Sequence, residues 1–487
     1  MNAKRVICTV VSVVALVVGS VAHAIDPFYT RRDIPTNPAA VLLDDHIGCA
    51  FGSVSSVLTL AEAIERALCS NPDTRNAWVA IEQQAASVGV SKSAYLPTLS
   101  ASGQQVHEDA ITRVRDEPSL SSDYGSAVHT GELSLSWILY DFGGRRATLE
   151  NAKALLRAAQ ANDDAVLQQT FATAAKNYYV AVAAREQVRA DDAIVADAND
   201  SLTAAKERSN RGVVPITDLY QAQTAYEQAQ IAKTKDEGQE LAYRGTLANS
   251  MALPPDTSFA LEDLDDTGVS GSTFQDNVSE LIAQAERNHP AILAAEQNLA
   301  AAKAGVTEAK AKGRPTISVV AKYTVDNEPV QLGLGLPHYQ ATGHDGYVGF
   351  QVTVPLFSGF ETTYQVRQAE AQVDQQAVAL DKARQQVALD VWSSYQTLRT
   401  DSENLSRSAE LLSVATKAWE SAQRRYRSGV GTILELLGTQ TSLAQARAQR
   451  VNVLTAWRSD RLALASALGR LDWNDIESSN STPSTNK

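Results

Sequence analysis

Residues 211–219 read RGVVPITDL, and residues 428–436 read SGVGTILEL. Both stretches run from a glycine through a short apolar segment to one acid followed by leucine. They lie 217 residues apart. The repeat extends in both directions from this pair. At the same offset Gln223 meets Gln440, Leu247-Ala248 meets Leu464-Ala465, and Leu139-Tyr140 meets Leu356-Phe357. Nearer the start of each half the offset is 218: Pro72 meets Pro290, Val88 meets Val306, Lys92 meets Lys310 and Pro97 meets Pro315. A solenoid repeats every 20–50 residues or so. Here a unit of roughly 200 residues is present twice, which is a tandem duplication.

Each unit reads as a helix, two strands, a very long helix and a further helix. Asn71-Pro72 and His289-Pro290 place a proline near the first turn of a helix, where its missing N–H costs nothing. These helices are expected to run to about Ala94 and Gly313. From Arg145 to Asn210, and again from Glu361 to Ser428, there is neither proline nor glycine. Sixty-six helical residues span about 99 Å. Leu167, Ala174, Ala181, Val188, Val195 and Leu202 recur every seven residues, as do Val391, Leu398, Leu405, Leu412 and Trp419. A strict seven-residue period implies left-handed supercoiling against neighbours. The companion slots Thr170, Asn177 and Asp191 are polar, so the seam is thin and suits helices wetted on one side.

The strands carry a period of two. GELSLSWILY (131–140) sets Leu133, Leu135, Trp137 and Leu139 on one face. VGFQVTVPLF (348–357) sets Val348, Phe350, Val352, Val354 and Leu356 on one face. The stretches 97–106 and 315–325 read as weaker strands, and polar loops at 107–127 and 326–346 suit exposed hairpin ends. Apolar and aromatic residues on one face, with Ser, Thr, Gln and Gly on the other, mark a strand between lipid and water. A four-stranded soluble sheet is the alternative, but helices of this length leave it no evident core to cover. Four strands cannot close a barrel. Three copies supply twelve, enough to leave an open interior.

The remaining composition narrows the class. Lys4-Arg5, the apolar run Val6 to Val21 and Ala22-His23-Ala24 form a secretory leader over 1–24. Cys8 lies inside that leader, so it cannot become an acylated first residue. Two cysteines remain, Cys49 and Cys69, either bridged in an oxidising compartment or held as two buried thiols. After residue 24 the longest apolar run is Tyr178–Ala184, seven residues, against roughly 20 for a spanning helix. The net charge of −13, or −15 without Lys4 and Arg5, argues against nucleic acid as a partner. No metalloprotease, Walker or nucleophile-elbow motif is present, and no cofactor is implied. His338, His344 and Asp345 lack ligand spacing and read as a polar loop tip. Glu262, Asp263, Asp265 and Asp266 lack EF-hand spacing and read as a solvated linker. The expected organisation is an extended N-terminal segment over 25–57 and a first repeat over 58–252 with strands at about 97–107 and 128–141. A linker follows over 253–277, then a second repeat over 278–470 with strands at about 315–326 and 346–357, and a polar tail over 471–487.

Three features together carry a resemblance: the opening at Leu58 to Pro72, LYDFGGRR (139–146), and RSGVGTILELLGTQTSL (427–443) within a duplicated chain. The sequence resembles the TolC-type outer-membrane channel proteins (outer membrane factors). The resemblance covers about residues 58–470. It implies a mixed α/β membrane protein, a homotrimer whose duplicated units form a twelve-stranded β-barrel in the outer membrane of a Gram-negative bacterium. A periplasmic α-helical barrel continues it, with the linker in an equatorial region. It implies no enzymatic activity, and partners in a periplasmic adaptor and an inner-membrane ABC transporter or proton-driven pump. The Cys49/Cys69 pair and the absence of an acylated cysteine resemble channels of type I toxin secretion, of the cyclolysin-export kind. A drug or metal efflux channel is the alternative, and a soluble periplasmic coiled-coil scaffold the second.

On this reading Gly212 and Gly429 end the long helices, and the opening stretches are the turns at the periplasmic tip. Asp218 and Glu435 sit in the first turn of the returning helices. Acids there complement the helix dipole by roughly 0.3–1 kcal/mol. In a trimer they also make six carboxylates around an entrance, attracting cations and repelling anions. The resemblance implies that a tyrosine and an arginine hold the first-turn acid. Tyr426 matches the tyrosine and Asp218 the acid. The arginine slot is Gly431 and a second acid slot is Gly438, so the hold is expected from Arg427 or Arg211.

Overall fold

The computed structural model describes residues 26–40, 42, 49, 51–263, 277–333 and 336–471. The expected leader, Asp265, Asp266 and the tail from 472 lie outside the described residues.

The duplication is visible in the helices. The first repeat contains α1 (Leu60–Ser70), α2 (Pro72–Ser93), α3 (Gly144–Asn210) and α4 (Ile216–Ser250). The second contains α5 (Val278–Asn288), α6 (Pro290–Ala311), α7 (Glu361–Arg427) and α8 (Ile433–Ala467). Their lengths agree pair by pair at 11, 22, 67 and 35 residues. The 67-residue helices span about 100 Å. The short helices α1 and α5 were not anticipated. Both begin on a side-chain cap: Thr59 Oγ1 accepts the Glu62 N–H at 3.2 Å, and Asn277 Oδ1 accepts the Ser279 N–H at 3.1 Å. The α1 cap lies inside the opening stretch from Leu58 to Pro72, and the Glu62 carboxylate accepts from the Ser55 N–H and the Arg66 guanidinium.

The chain forms two compact units. One comprises the described residues up to Asp33 and those within Gln83–Leu156 and Gln297–Ala377. It holds a four-stranded antiparallel sheet of β2 (Thr98–Thr112), β3 (Ser122–Tyr140), β5 (Thr316–Asp326) and β8 (Gly343–Thr353) in the order β2-β3-β5-β8. The strands depart from expectation at their ends. The pair expected at 97–107 and 128–141 runs on to Thr112 and starts at Ser122, so the polar loop shrinks to 113–121. The ladder between β2 and β3 continues to Thr112 opposite Ser122, beyond β5, which pairs with β3 only as far as Thr130. The fourth strand, expected over 346–357, instead spans Gly343–Thr353. Pro355 has no N–H for the ladder, so Leu356 and Phe357 lie beyond it. His344 and Asp345 are therefore strand residues, and His338 lies in β7 (His338–Tyr339), which pairs with β6 (Val330–Gln331), and stacks on Tyr124 at 3.7 Å. Among the described residues no cluster of His, Cys, Asp or Glu could hold a metal ion.

Register makes the sheet two-faced. Leu99 lies opposite Leu135, Leu135 opposite Ala321, and Ala321 opposite Val348. Trp137, Val319 and Phe350 form the next such row. This face is apolar from one edge strand to the other, and Val348 and Phe350 are both 79% exposed. The opposite face carries Ser100 on Ser134 at 2.7 Å and Lys322 on Glu132 at 2.9 Å. Where β3 turns into α3, Phe142 and Gly143 take φ of 52° and 97°. Arg145 donates back to the carbonyls of Ile138 and Leu139, which explains the DFGGR run.

The other unit comprises Ile34–Glu82, Arg157–Glu296 and residues from Val378 onward. Its largest core packs α1 and Met251 against Leu167, Phe171, Tyr178 and Leu247. Part of the expected linker belongs to this core, because β4 (Ala260–Leu261) pairs in parallel with β1 (Val57–Leu58). Leu471, expected to open the polar tail, is buried there too. A disulfide joins Cys49 to Cys69, with Cα atoms 5.4 Å apart. The heptad positions Leu167, Ala174, Ala181, Val391, Leu398 and Leu405 are all buried. So are Thr170 and Asp191 from the polar companion slots. Burial pushes the Asp191 carboxyl up to about 6, opposed by the Gln187 amide that donates to it at 3.0 Å.

Candidate functional site

The long helices end alike. Gly212 and Gly429 take φ of 71° and 84°, the left-handed region that glycine enters without a Cβ penalty. Each turn closes a Schellman motif. Gly212 N–H donates to Ser209 O at 2.9 Å and Val213 N–H to Arg208 O at 3.0 Å. Gly429 N–H donates to Tyr426 O and Val430 N–H to Arg425 O, both at 3.1 Å.

The returning helices begin differently. Thr432 caps α8, its Oγ1 accepting the Glu435 N–H at 3.2 Å. Pro215 stands at the corresponding position of α4 and offers no side-chain acceptor. Both acids lie in the first turn. Arg425 Nε reaches Glu435 Oε1 at 3.2 Å, whereas among the described residues Asp218 has no ion-pair partner.

The cations expected to hold these acids do not meet them within the chain. Arg427 lies 3.6 Å from Asp200, and Arg211 lies 4.0 Å from Glu207, one turn back on its own helix. Arg211 directly follows α3 and Arg427 is the last residue of α7, and each meets an acid on α3 instead of the first-turn acids. Tyr426 is 1% exposed and packs with Ala205, Ala222, Ala422, Ile433 and Leu436. Its hydroxyl is buried without a hydrogen-bond partner. Burial raises that hydroxyl's pKa, the Arg208 charge lowers it and the Asp218 charge raises it. Arg208 lies over the Tyr426 ring, 4.7 Å from its centroid, and donates to the Tyr426 carbonyl. Arg447 adds a further tie between the repeats, 3.2 Å from Asp197.

Gly431 and Gly438 differ in physical character. A Cβ on Gly431 would meet Tyr426 N at 3.0 Å and Arg425 Cβ at 3.1 Å, so any side chain there requires the end of α7 to shift slightly. A Cβ on Gly438 meets nothing within 4 Å. Sequence reasoning missed Arg208 and Arg425, the two cations that do engage the tips. Both stand four residues before a turn glycine and 217 residues apart, and that repetition was the available signal.

A sheet with one apolar face and duplicated long-helix hairpins within one chain fit an outer-membrane channel. The chain belongs to the outer membrane efflux protein family, whose sequence profile matches residues 63–252 and 281–470. It is 30% identical over 445 residues to Protein CyaE of Bordetella pertussis, covering 91% of this chain and 88% of that protein. It is 22% identical over 438 residues to outer membrane protein TolC of Escherichia coli, covering 88% and 85%. The crystal structure of outer membrane protein VceC from Vibrio cholerae superposes with a TM-score of 0.71 at 19% identity, covering 84% of this chain and 96% of that one. The protein is thus a transport channel of the outer membrane that extends into the periplasm, and not an enzyme.

Proposed function

We propose that three copies of the chain assemble into the exit duct of a type I secretion machine. The duct receives a protein, of the repeat-in-toxin type, from an inner-membrane ABC transporter and a periplasmic adaptor. It carries that protein across the periplasm and the outer membrane. The observation that carries the duct reading is the sheet. Its edge strands β2 and β8 have no outer neighbour among the described residues, and one face is apolar from edge to edge. Unpaired strand edges cannot sit in hydrocarbon. Cyclic assembly of three sheets closes a twelve-stranded barrel with the Lys322–Glu132 face inward.

A protein substrate is supported by the similarity to CyaE together with the Cys49–Cys69 bridge and a leader whose predicted cut frees no cysteine for acylation. The family description favours a second reading, the outer component of a drug or metal efflux pump. Deleting the gene separates them. The secretion reading expects one large protein to vanish from the culture medium while susceptibility to dyes and detergents stays constant. An unchanged medium with raised susceptibility would overturn it.

We place the entrance at the two tip turns, where Asp218 and Glu435 from three copies form a ring of six carboxylates. The pair Asp218→Ala with Glu435→Ala is expected to abolish cation selectivity and block by trivalent cations in single channels. Unchanged selectivity and block would refute the ring.

A further inference from the structure

The apolar face of the sheet ends in histidines. Its rows run from Tyr140, Ile317 and Val352 to Gly103, Gly131, Val325 and His344. From Tyr140 to Gly131 is ten residues of β3, the length of a tilted strand that crosses hydrocarbon. Gln105 and His129 make the next row, and His107 and Ala127 the one after it. Side chains two apart along a strand share a face. Three of the five histidines among the described residues, His107, His129 and His344, thus stand at one border of the apolar band, and all three are exposed. β3 passes into α3 at the other border, so the histidines mark the one away from that helix. Among the described residues of these four strands the only lysine or arginine is Lys322, which lies on the opposite face, paired with Glu132. The acids on the histidine face stand further out: Asp109, 3.7 Å from His107, and Asp123.

A groove of about 430 Å³ opens on the membrane side of His344, lined by Leu99, Leu133, Leu135, Ala321, Tyr323 and Val348. The Tyr323 ring lies over Gly346, where a Cβ would meet Tyr323 Cδ2 at 3.2 Å, and its centroid is 6.0 Å from that of His344. The groove therefore leads out of the apolar band to an imidazole. Pairing of sheet edges between copies uses the backbone and leaves this face open.

From this juxtaposition we infer that the patch binds the phosphorylated glycolipid of the outer leaflet, lipopolysaccharide, resting on the reading above of this face as lipid-facing. An acyl chain of its lipid A lies in the groove. The two lipid A phosphates sit at opposite ends of a disaccharide, and each accepts an N–H from one imidazole, His344 or His129. These histidines stand two strand spacings, about 10 Å, apart across the sheet with β5 between them, too far for one phosphate to bridge. His107 is shared with Asp109 and lies outside the pair.

The test is binding of bisphosphoryl lipid A to the purified full chain, stripped of lipid in detergent and followed by native mass spectrometry. Monophosphoryl lipid A is expected to bind the unaltered protein about tenfold more weakly, the change for one hydrogen bond to a charged group. His129→Ala with His344→Ala weakens bisphosphoryl lipid A by at least about tenfold and abolishes the preference for the second phosphate. Ala321→Phe fills the groove and weakens both lipids alike. His338→Ala, whose ring stacks on Tyr124, is the control and binds as the unaltered protein does. The inference is overturned if the unaltered protein binds no lipid A, or binds the two forms equally, or if the double variant keeps the preference. It is overturned also if phosphatidylglycerol binds as tightly as bisphosphoryl lipid A, since the patch then takes any lipid phosphate. These outcomes leave the duct reading intact. Recovery of the unaltered protein in the periplasm without detergent would overturn that reading, and the lipid site with it.

Discussion

The two repeats share helices of equal length but have diverged in what those helices hold. The first carries the disulfide, since Cys69 corresponds to Arg287 in the second. It carries a buried acid, Asp163, where the second has the buried Leu380. It starts its returning helix on Pro215 where the second has a threonine cap. Its strands are 15 and 19 residues long, against 11 and 11. The difference teaches that the helical frame fixes the architecture, while single positions along it are free to take separate tasks.

The largest effect that would break this comparison is loss of the bridge. Cys69→Ser opens a loop of 20 residues, and the expected cost is about 3 kcal/mol on a chain-entropy basis. The corresponding Arg287→Ser leaves the thermal midpoint unchanged. Equal losses from both changes, measured by thermal unfolding in detergent, would deny the first repeat its staple.

Next is Asp163, 1% exposed with both carboxyl oxygens lacking a partner. Burial, assisted by the Asp164 charge, pushes it up to about 7 from the ordinary 3.8. Its folded pKa lies above its unfolded one, so its contribution to stability is whole below about pH 4 and is lost as pH climbs through 7. The thermal midpoint should therefore be higher at pH 5 than at pH 8. Asp163→Leu, which copies the second repeat, should flatten that profile and stabilise the protein at pH 8 by about 2 kcal/mol. A steeper profile in the variant would contradict the assignment.

Much of this frame was legible in the sequence, for identifiable reasons. The long helices were bounded by the absence of proline and glycine, and their ends by Gly212 and Gly429. The apolar face of the sheet followed from alternation in GELSLSWILY. What was hidden depended on single side chains. The Thr59 cap lies inside the opening stretch from Leu58 to Pro72, but one threonine does not by itself mark a helix start, so α1 and its copy do not stand out in the sequence. Strand ends were displaced because β2 and β3 pair beyond the reach of β5, a tertiary matter that alternation cannot bound. At the tips, the sequence offers Arg211 and Arg427 in place of the arginine slot that Gly431 occupies, and it does not show which way a side chain near a turn reaches. The geometry favours Arg208 and Arg425, three and two residues earlier: Arg425 reaches Glu435 across its own turn, and Arg208 reaches Tyr426 of the other repeat.

The smaller effects sharpen the comparison at those tips. Thr432→Ala removes the α8 cap and should cost about 1 kcal/mol, while Pro215→Ala, with no cap to lose, should cost far less. Equal losses would remove the distinction between the two helix starts. Gly438→Asp should be near neutral, since a Cβ there meets open space, whereas Gly431→Arg must displace the Arg425–Tyr426 backbone and destabilise the second turn.

The central claim, that the duplicated chain is one third of a closed membrane duct, is tested by fractionating cells and weighing the extracted particle. The account predicts protein in the outer-membrane fraction alone, released by detergent as a particle of three chains. A single chain recovered from the periplasm without detergent would contradict it.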